Sequence, residues 1–357
     1  MTALSVPARP GQDASPRPVP WRRMIWVTWR QHRGTLAGVA VFLGAAAASL
    51  WLAGLQMHHA YAAAFACRPV GSPACNAPGT GLVNVFNDTS DFLSNGGIAQ
   101  LLPALVGAFA GAPLLARELE TGTFRYAWTQ GLGRQRWALA KLVLLGAVLA
   151  AAAGAFSVLL SWYYQPYFAP GNQALSMTQL NTFDPTLFNL RGITFAAWTL
   201  AAFTIGALAG LLIRRVIPAV AATLAVYGGL AFAAGGWPRQ YYLPPLVTGD
   251  LNVPGSAWLI SQWWTRGGQT VSQSTMYQVM DATFRHLPQG AVSGSAQKEQ
   301  GLLVVERYLT RHGYTLWTSY QPASRFWPFQ WIEGGWLLAL SAALIAVTVW
   351  LVRRRAA

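Results

Sequence analysis

Residues 192–213, GITFAAWTLAAFTIGALAGLLI, and residues 216–234, VIPAVAATLAVYGGLAFAA, are separated only by Arg214-Arg215. Each block is an uncharged apolar run of about 20 residues, the length a helix needs to cross a ~30 Å hydrocarbon core. Two such runs joined by two arginines form a helical hairpin across a bilayer. Working outward, four more apolar blocks of similar length appear at 35–55, 98–116, 138–162 and 332–352, two of them with a single charge near the start, Lys141 and Glu333. Composition agrees: 54% of the 357 residues are apolar and 10% charged, where a soluble domain carries about a quarter charged. The expected fold is an all-α integral membrane protein with six transmembrane helices. Pro103, Pro113 and Pro218 fall inside or near helix ends and mark kinks or local breaks rather than missing spans.

The formal charge of +14 does not indicate a nucleic-acid partner, because the arginines flank the apolar blocks instead of lining one helix face. With a cytoplasmic amino terminus, sixteen of the 25 basic residues fall on the inside, among them Arg22, Arg23, Arg117, Arg134, Arg214 and Arg353 to Arg355. The short outside loops hold only Arg68 and Arg191, and the long loop is too long to influence orientation. Both termini are expected in the cytoplasm of a cell-membrane protein. Ala64-Phe65-Ala66 resembles a cleavage site, but the first block is longer than a signal core and more than thirty residues precede it.

Five segments follow. Residues 1–20 hold five prolines and read as a disordered cytoplasmic tail. Residues 21–34 read as an interfacial amphipathic helix, with Trp21, Trp26 and Trp29 at the water boundary and Arg22, Arg23 and Arg30 near anionic headgroups; continuation of the first span is the alternative. Helices 1 to 5 occupy 35–234, and 332–357 holds the sixth with a basic tail. Residues 235–331 form an extracytoplasmic α+β cap: Met276, Tyr277, Met280, Phe284 and Leu287 recur at helical spacing, as do Leu302, Val305, Tyr308 and Leu309, while 314–320 alternates like a strand. The cap aromatics either receive an apolar substrate or rest on the outer leaflet.

Cys67 and Cys75 share the first outside loop, with Gly71 and Pro73 between them, and the spacing favours a disulfide over two free thiols. His58 and His59 are adjacent and lack a ligand spacing, so no metal site is assigned. The acidic residues lie in loops, tails or span ends, without the mid-span carboxylates of a proton relay. No G-x-x-x-x-G-K-[ST] loop is present, so an ATP engine would sit on another chain. Gly107-xxx-Gly111 and Gly206-xxx-Gly210 allow close helix contact in lipid.

The most specific stretch follows the second span: ARELETGTFRYAWTQGLGR (116–134), continuing to Lys141. It resembles the permeases of the ABC type-2 export superfamily, in which the second span ends in acidic residues, Gly-Thr, a short helix, a basic turn and a Lys opening the third span. Trp128-Thr129-Gln130-Gly131 departs from the aliphatic pair and Pro of that pattern, and the outer loop is larger. The resemblance implies a non-enzymatic permease subunit moving a lipophilic lipid, peptide or antibiotic outward. It also implies ATP and Mg²⁺ on a separate ATPase subunit, a second permease copy or paralogue, contact with membrane lipids and no cofactor on this chain. Glu118, Glu120, Gly122, Thr123, Arg125, Trp128, Arg134 and Lys141 would form the ATPase-coupling loop; charges that only stop the span, paired with Arg117 or Arg125, are the alternative. A membrane sensor or assembly scaffold with a receptor cap is the second functional reading, and an intramembrane enzyme lacks converging catalytic groups.

The bias of basic residues generates a topology prediction. In a variant without Cys67 and Cys75, single cysteines at Gly79 or Ser295 should label from outside intact cells, and those at Gly131 or Ala357 only after permeabilisation. Labelling of Gly131 in intact cells overturns the orientation.

Overall fold

The computed structural model describes residues 21–67, 73–94, 98–122, 134–168, 182–236, 238–250, 253, 256–285 and 305–355. Among the described residues six helices are long and apolar enough to cross a membrane. The chain divides into two compact units, one of residues 1–166, 189–232 and 333–357, the other of 167–188 and 233–332.

In the first unit, α1 (Trp21–Ala66) is one helix of 46 residues. The segment expected as a separate interfacial helix therefore continues into the first span without a break. No proline interrupts it and alanine dominates its middle, so nothing in the sequence stops helical propagation. At ~1.5 Å per residue α1 measures about 69 Å, more than twice the hydrocarbon thickness, so its basic end still emerges from the core. After the disulfide Cys67–Cys75 comes α2 (Asn76–Ser94), an element outside the sequence reading. It packs on α1 and buries Leu82 and Phe86, one turn apart.

The second span has three parts: α3 (Ile98–Val106), a π-helical turn Gly107–Gly111, and α4 (Ala112–Thr121). Pro113 has no N–H and its ring crowds the carbonyl four residues back, and a π turn widens the helix at that point. The break expected at Pro113 thus takes the form of one wide turn. Then come α5 (Arg134–Tyr163), α6 (Thr194–Ile213) and α7 (Val216–Gly236). Arg214 joins α6 to α7 with φ 59°, a left-handed conformation rare outside glycine, and its N–H donates to the Gly210 carbonyl.

The sheltered centre of this unit is α6, which packs against α3, the π turn, α4 and α5. Of its most apolar window 67% is buried, against 6% for the first span. Helices in lipid gain little from apolar burial and depend on close van der Waals contact. The four glycines singled out above supply it. A Cβ on Gly206 would stand 2.3 Å from the Gly107 carbonyl oxygen, and one on Gly210 2.3 Å from that of Ala112. Reciprocally, Cβ atoms on Gly107 and Gly111 would meet the Ala202 and Phe203 carbonyls at 2.5 and 2.4 Å. A third notch lies at Gly54 of α1, where a Cβ would meet the Trp162 ring at 2.2 Å. That indole stacks between Trp51 and His58 at centroid distances of 4.7 and 4.6 Å, and His58 Nε2 donates to the Trp162 carbonyl at 3.0 Å.

The last helix, α10 (Phe326–Arg355), closes the chain. In the first unit its Glu333 is fully buried and accepts a hydrogen bond from Trp198 Nε1 at 3.1 Å. The sequence reading put Glu333 at the mouth of a span beginning at Ile332; the helix begins two turns earlier, so this carboxylate lies within it. Trp198 also makes edge contacts with Tyr227 and Trp336.

The second unit carries a four-stranded antiparallel sheet in the order β1 (Leu246–Thr248), β4 (Tyr314–Gln321), β2 (Trp258–Arg266), β3 (Gln269–Val271). Two helices, α8 (Gln273–Arg285) and α9 (305–311), stand where the helical spacing placed them. Met276, Val305, Leu309 and Tyr314 form one core, and Phe183, Phe188, Phe326 and Phe329 another. The unit also takes in 167–188, tied by Thr182 Oγ1 donating to the Ser256 carbonyl at 2.7 Å.

The close contact of spans two and four predicts that Gly206→Ala lowers stability by about 1–3 kcal/mol, the cost of overpacking, because the clash is with backbone. Gly228→Ala, whose Cβ meets nothing within 4 Å, should leave stability unchanged. The thermal midpoint of the detergent-solubilised protein, followed by size-exclusion chromatography, compares the two.

Candidate functional site

The sequence-predicted coupling residues straddle the junction of α4 and α5. α4 ends at Thr121 because Gly122 adopts φ 73°, a left-handed cap that a Cβ would disfavour. One turn earlier Glu118 forms an ion pair and hydrogen bond with Lys141 of α5. The Lys141 side chain is almost completely enclosed, and that of Glu118 is 19% exposed. The ammonium also lies 4.6 Å from the centroid of the Trp137 ring. Burying a cation demands a partner of opposite charge, and Glu118 provides it from the neighbouring span. Glu120 points elsewhere: its Oε2 accepts from the Val216 N–H at 3.3 Å. Val216 opens α7, so this carboxylate satisfies one of the donors a helix start leaves over and faces the positive end of its dipole.

These contacts join three spans at one end of the first unit. Leu36, Leu114, Leu115, Trp137, Leu211 and Val352 belong to a single apolar cluster at that end, so the beginnings of the first and third spans lie with the ends of the second, fourth and sixth. Alternating spans return to the same side, as a six-helix layout requires. On the opposite side Ser157 Oγ donates to the Gly192 carbonyl at 2.8 Å. Burial pushes the neighbouring Arg191 guanidinium down to about 10, opposed in part by Tyr164, and it stays cationic at neutral pH.

Of the predicted coupling residues, Glu118 and Lys141 are brought into direct contact, Glu120 lies at the same end, and Gly122 caps the helix between them. Thr123, Arg125 and Trp128, with the Arg134 side chain, lie outside the described residues. At the amino end of α1, Arg22, Trp26, Trp29 and Arg30 are exposed, and the Arg30 guanidinium sits 5.3 Å from the Trp26 centroid. The side chains of Trp21 and Arg23 lie outside the described residues. Among the described residues no group of three His, Cys, Asp or Glu is placed to hold a metal. The Glu118–Lys141 pairing was not anticipated: charge alone offered Arg117 and Arg125, which are nearer in sequence.

The family model described as ABC-2 membrane transporter related matches residues 40–239. The chain belongs to this family. The match spans more than half the sequence, from the first apolar block through α7, and includes the Glu118–Lys141 pair and the glycine contact of spans two and four. No curated protein and no solved structure matches the chain. As an ABC-2 member the protein is a multi-pass membrane subunit of a transporter. The matched region stops short of the sheet and of α10, and takes in residues 167–188 of the second unit.

The buried pair predicts asymmetric mutational behaviour. Glu118→Ala leaves an enclosed ammonium without its carboxylate and should destabilise the protein by about 3 kcal/mol. Glu118→Ala with Lys141→Met should recover most of that loss, as no charge then remains to be compensated. Membrane yield and the thermal midpoint of the purified protein measure both.

Proposed function

We propose that this chain is the permease subunit of an ATP-driven exporter, and that a separate ATPase subunit binding ATP and Mg²⁺ docks on the segment from Glu118 to Arg134. The reading places that segment, and both termini, in the cytoplasm of the cell membrane, and pairs the chain with a second permease copy or paralogue. The cargo is a lipophilic molecule, a lipid, a peptide or an antibiotic, released on the outer side of the membrane.

The observation that carries the reading is the linkage at the ends of the docking segment. Glu118 holds α4 to α5, and Glu120 holds α4 to the start of α7. Force applied to residues 123–133 enters at two helix ends that are themselves bound to a third, so a push on the loop moves spans two, three and five together. This supports a transmission role and gives the two acidic residues work inside the chain: they anchor the loop, and the reading assigns contact with the ATPase to Arg125 and Trp128 on residue type alone. Rigid elements with two discrete arrangements carry such coupling.

Affinity purification of the full chain from native membranes tests this. The expected result is a co-purified ATPase. Arg125→Ala with Trp128→Ala should lower its recovery about tenfold, the equivalent of ~1.4 kcal/mol, and lower ATP-dependent transport with it, at unchanged membrane yield. Unchanged recovery and transport would assign the loop to span termination alone.

A further inference from the structure

A groove of about 750 Å³ runs between α1 and α5. Its lining mixes small residues, Ala37, Ala40 and Gly44 on α1 and Ala152 on α5, with larger apolar ones such as Leu43 and Phe156. At one end stand Arg33 and Trp29; both are exposed, and no acidic side chain lines the groove among the described residues. We infer that this groove binds one anionic phospholipid, with an acyl chain along the small residues and the phosphate at Arg33.

Three features select this occupant. The groove is apolar except at one end, and that end is cationic, the polarity of a lipid and not of a helix packed along its whole length. Its length fits: from Arg33 to Ala47, both lining it, α1 advances about 21 Å, which covers the ~15 Å of one leaflet's hydrocarbon with a remainder for the headgroup. The chemistry of the mouth also fits, because a guanidinium offers paired donors to phosphate oxygens and an indole beside it sits at the headgroup level. The α1 surface here is covered by little else in the chain, since only 6% of the first span's most apolar window is buried. Under the orientation proposed above the lipid comes from the inner leaflet; binding itself does not depend on that orientation or on the ATPase.

Native mass spectrometry of the full chain in detergent, titrated with phosphatidylglycerol or phosphatidylcholine of the same acyl chains, reads the site directly. The wild type should retain phosphatidylglycerol about fivefold better, the effect of one basic residue on an anionic lipid. Arg33→Gln should remove the preference and Arg33→Lys keep most of it. Gly44→Phe, whose first added atom meets nothing within 4 Å, should fill the groove and abolish retention of both lipids, while Gly228→Phe, on another open surface, should not. An intact Cys67–Cys75 linkage and an unchanged melt certify folding; Arg33→Gln alters an exposed side chain and decides the matter even where Gly44→Phe fails to fold. Equal retention of the two lipids by the wild type, or retention unchanged by Arg33→Gln, overturns the inference. So does a Gly44→Phe protein that keeps its lipid but drops to half its oligomeric mass, which would make the groove a contact between two copies.

Discussion

Two pairs of glycines on the second and fourth spans allow the backbones to touch, and the first unit is built outward from that contact. In lipid the surroundings are as apolar as the side chains, so a helix gains little from hiding leucines and must gain from proximity. Gly107, Gly111, Gly206 and Gly210 each sit so near a facing carbonyl that a methyl group would collide with it. The π turn at Gly107–Gly111 falls in the same contact, where the extra residue per turn accommodates Pro113 and presents both glycines to α6. With α6 held this way, α5 can lie along it and α1 along α5.

Charge is treated differently at the two ends of this bundle. At the end that holds the junctions of α4 with α5 and α6 with α7, an ion pair and a capped helix start fasten neighbouring spans. The lysine in that pair is enclosed as fully as any leucine of the core, which makes the pair a specific fastener more than a source of net stability. Farther along, the fully buried Glu333 meets the Trp198 N–H within an aromatic group that includes Tyr227 and Trp336. An ionisable residue at this position within a spanning helix is costly unless it is bonded, and the indole bond fixes α10 against α6 at that level.

The second unit follows the rules of an aqueous domain. Its sheet pairs strands in antiparallel order, and the unit buries one aromatic and one mainly aliphatic cluster. The Gly267-Gly268 turn, with φ of 56° and 84°, joins Arg266 to Gln269 as a two-residue hairpin. The hairpin and the rest of the sheet lie outside the matched residues 40–239.

The sequence by itself determined the class of the protein, the six spans, the disulfide, the Gly-mediated contacts as a possibility, the helices of the second unit and the strand 314–320. All of these rest on local quantities: twenty uncharged residues in a row, a period of 3.6 or 2, two cysteines with a turn between them. The strand β2 escaped because a bulge between Leu259 and Ser261 breaks its alternation, and adjacent Trp263 and Trp264 blur what remains. Only the tertiary structure decided partners. That Glu118 meets Lys141, that Glu120 caps α7, that Trp162 inserts at Gly54 and that Gly107 faces Gly206 are facts about residues 23 to 108 positions apart. A carboxylate's charge is written in the chain, but which cation it meets is set by which helices pack together, and that packing emerges only when all the spans compete for the same neighbours.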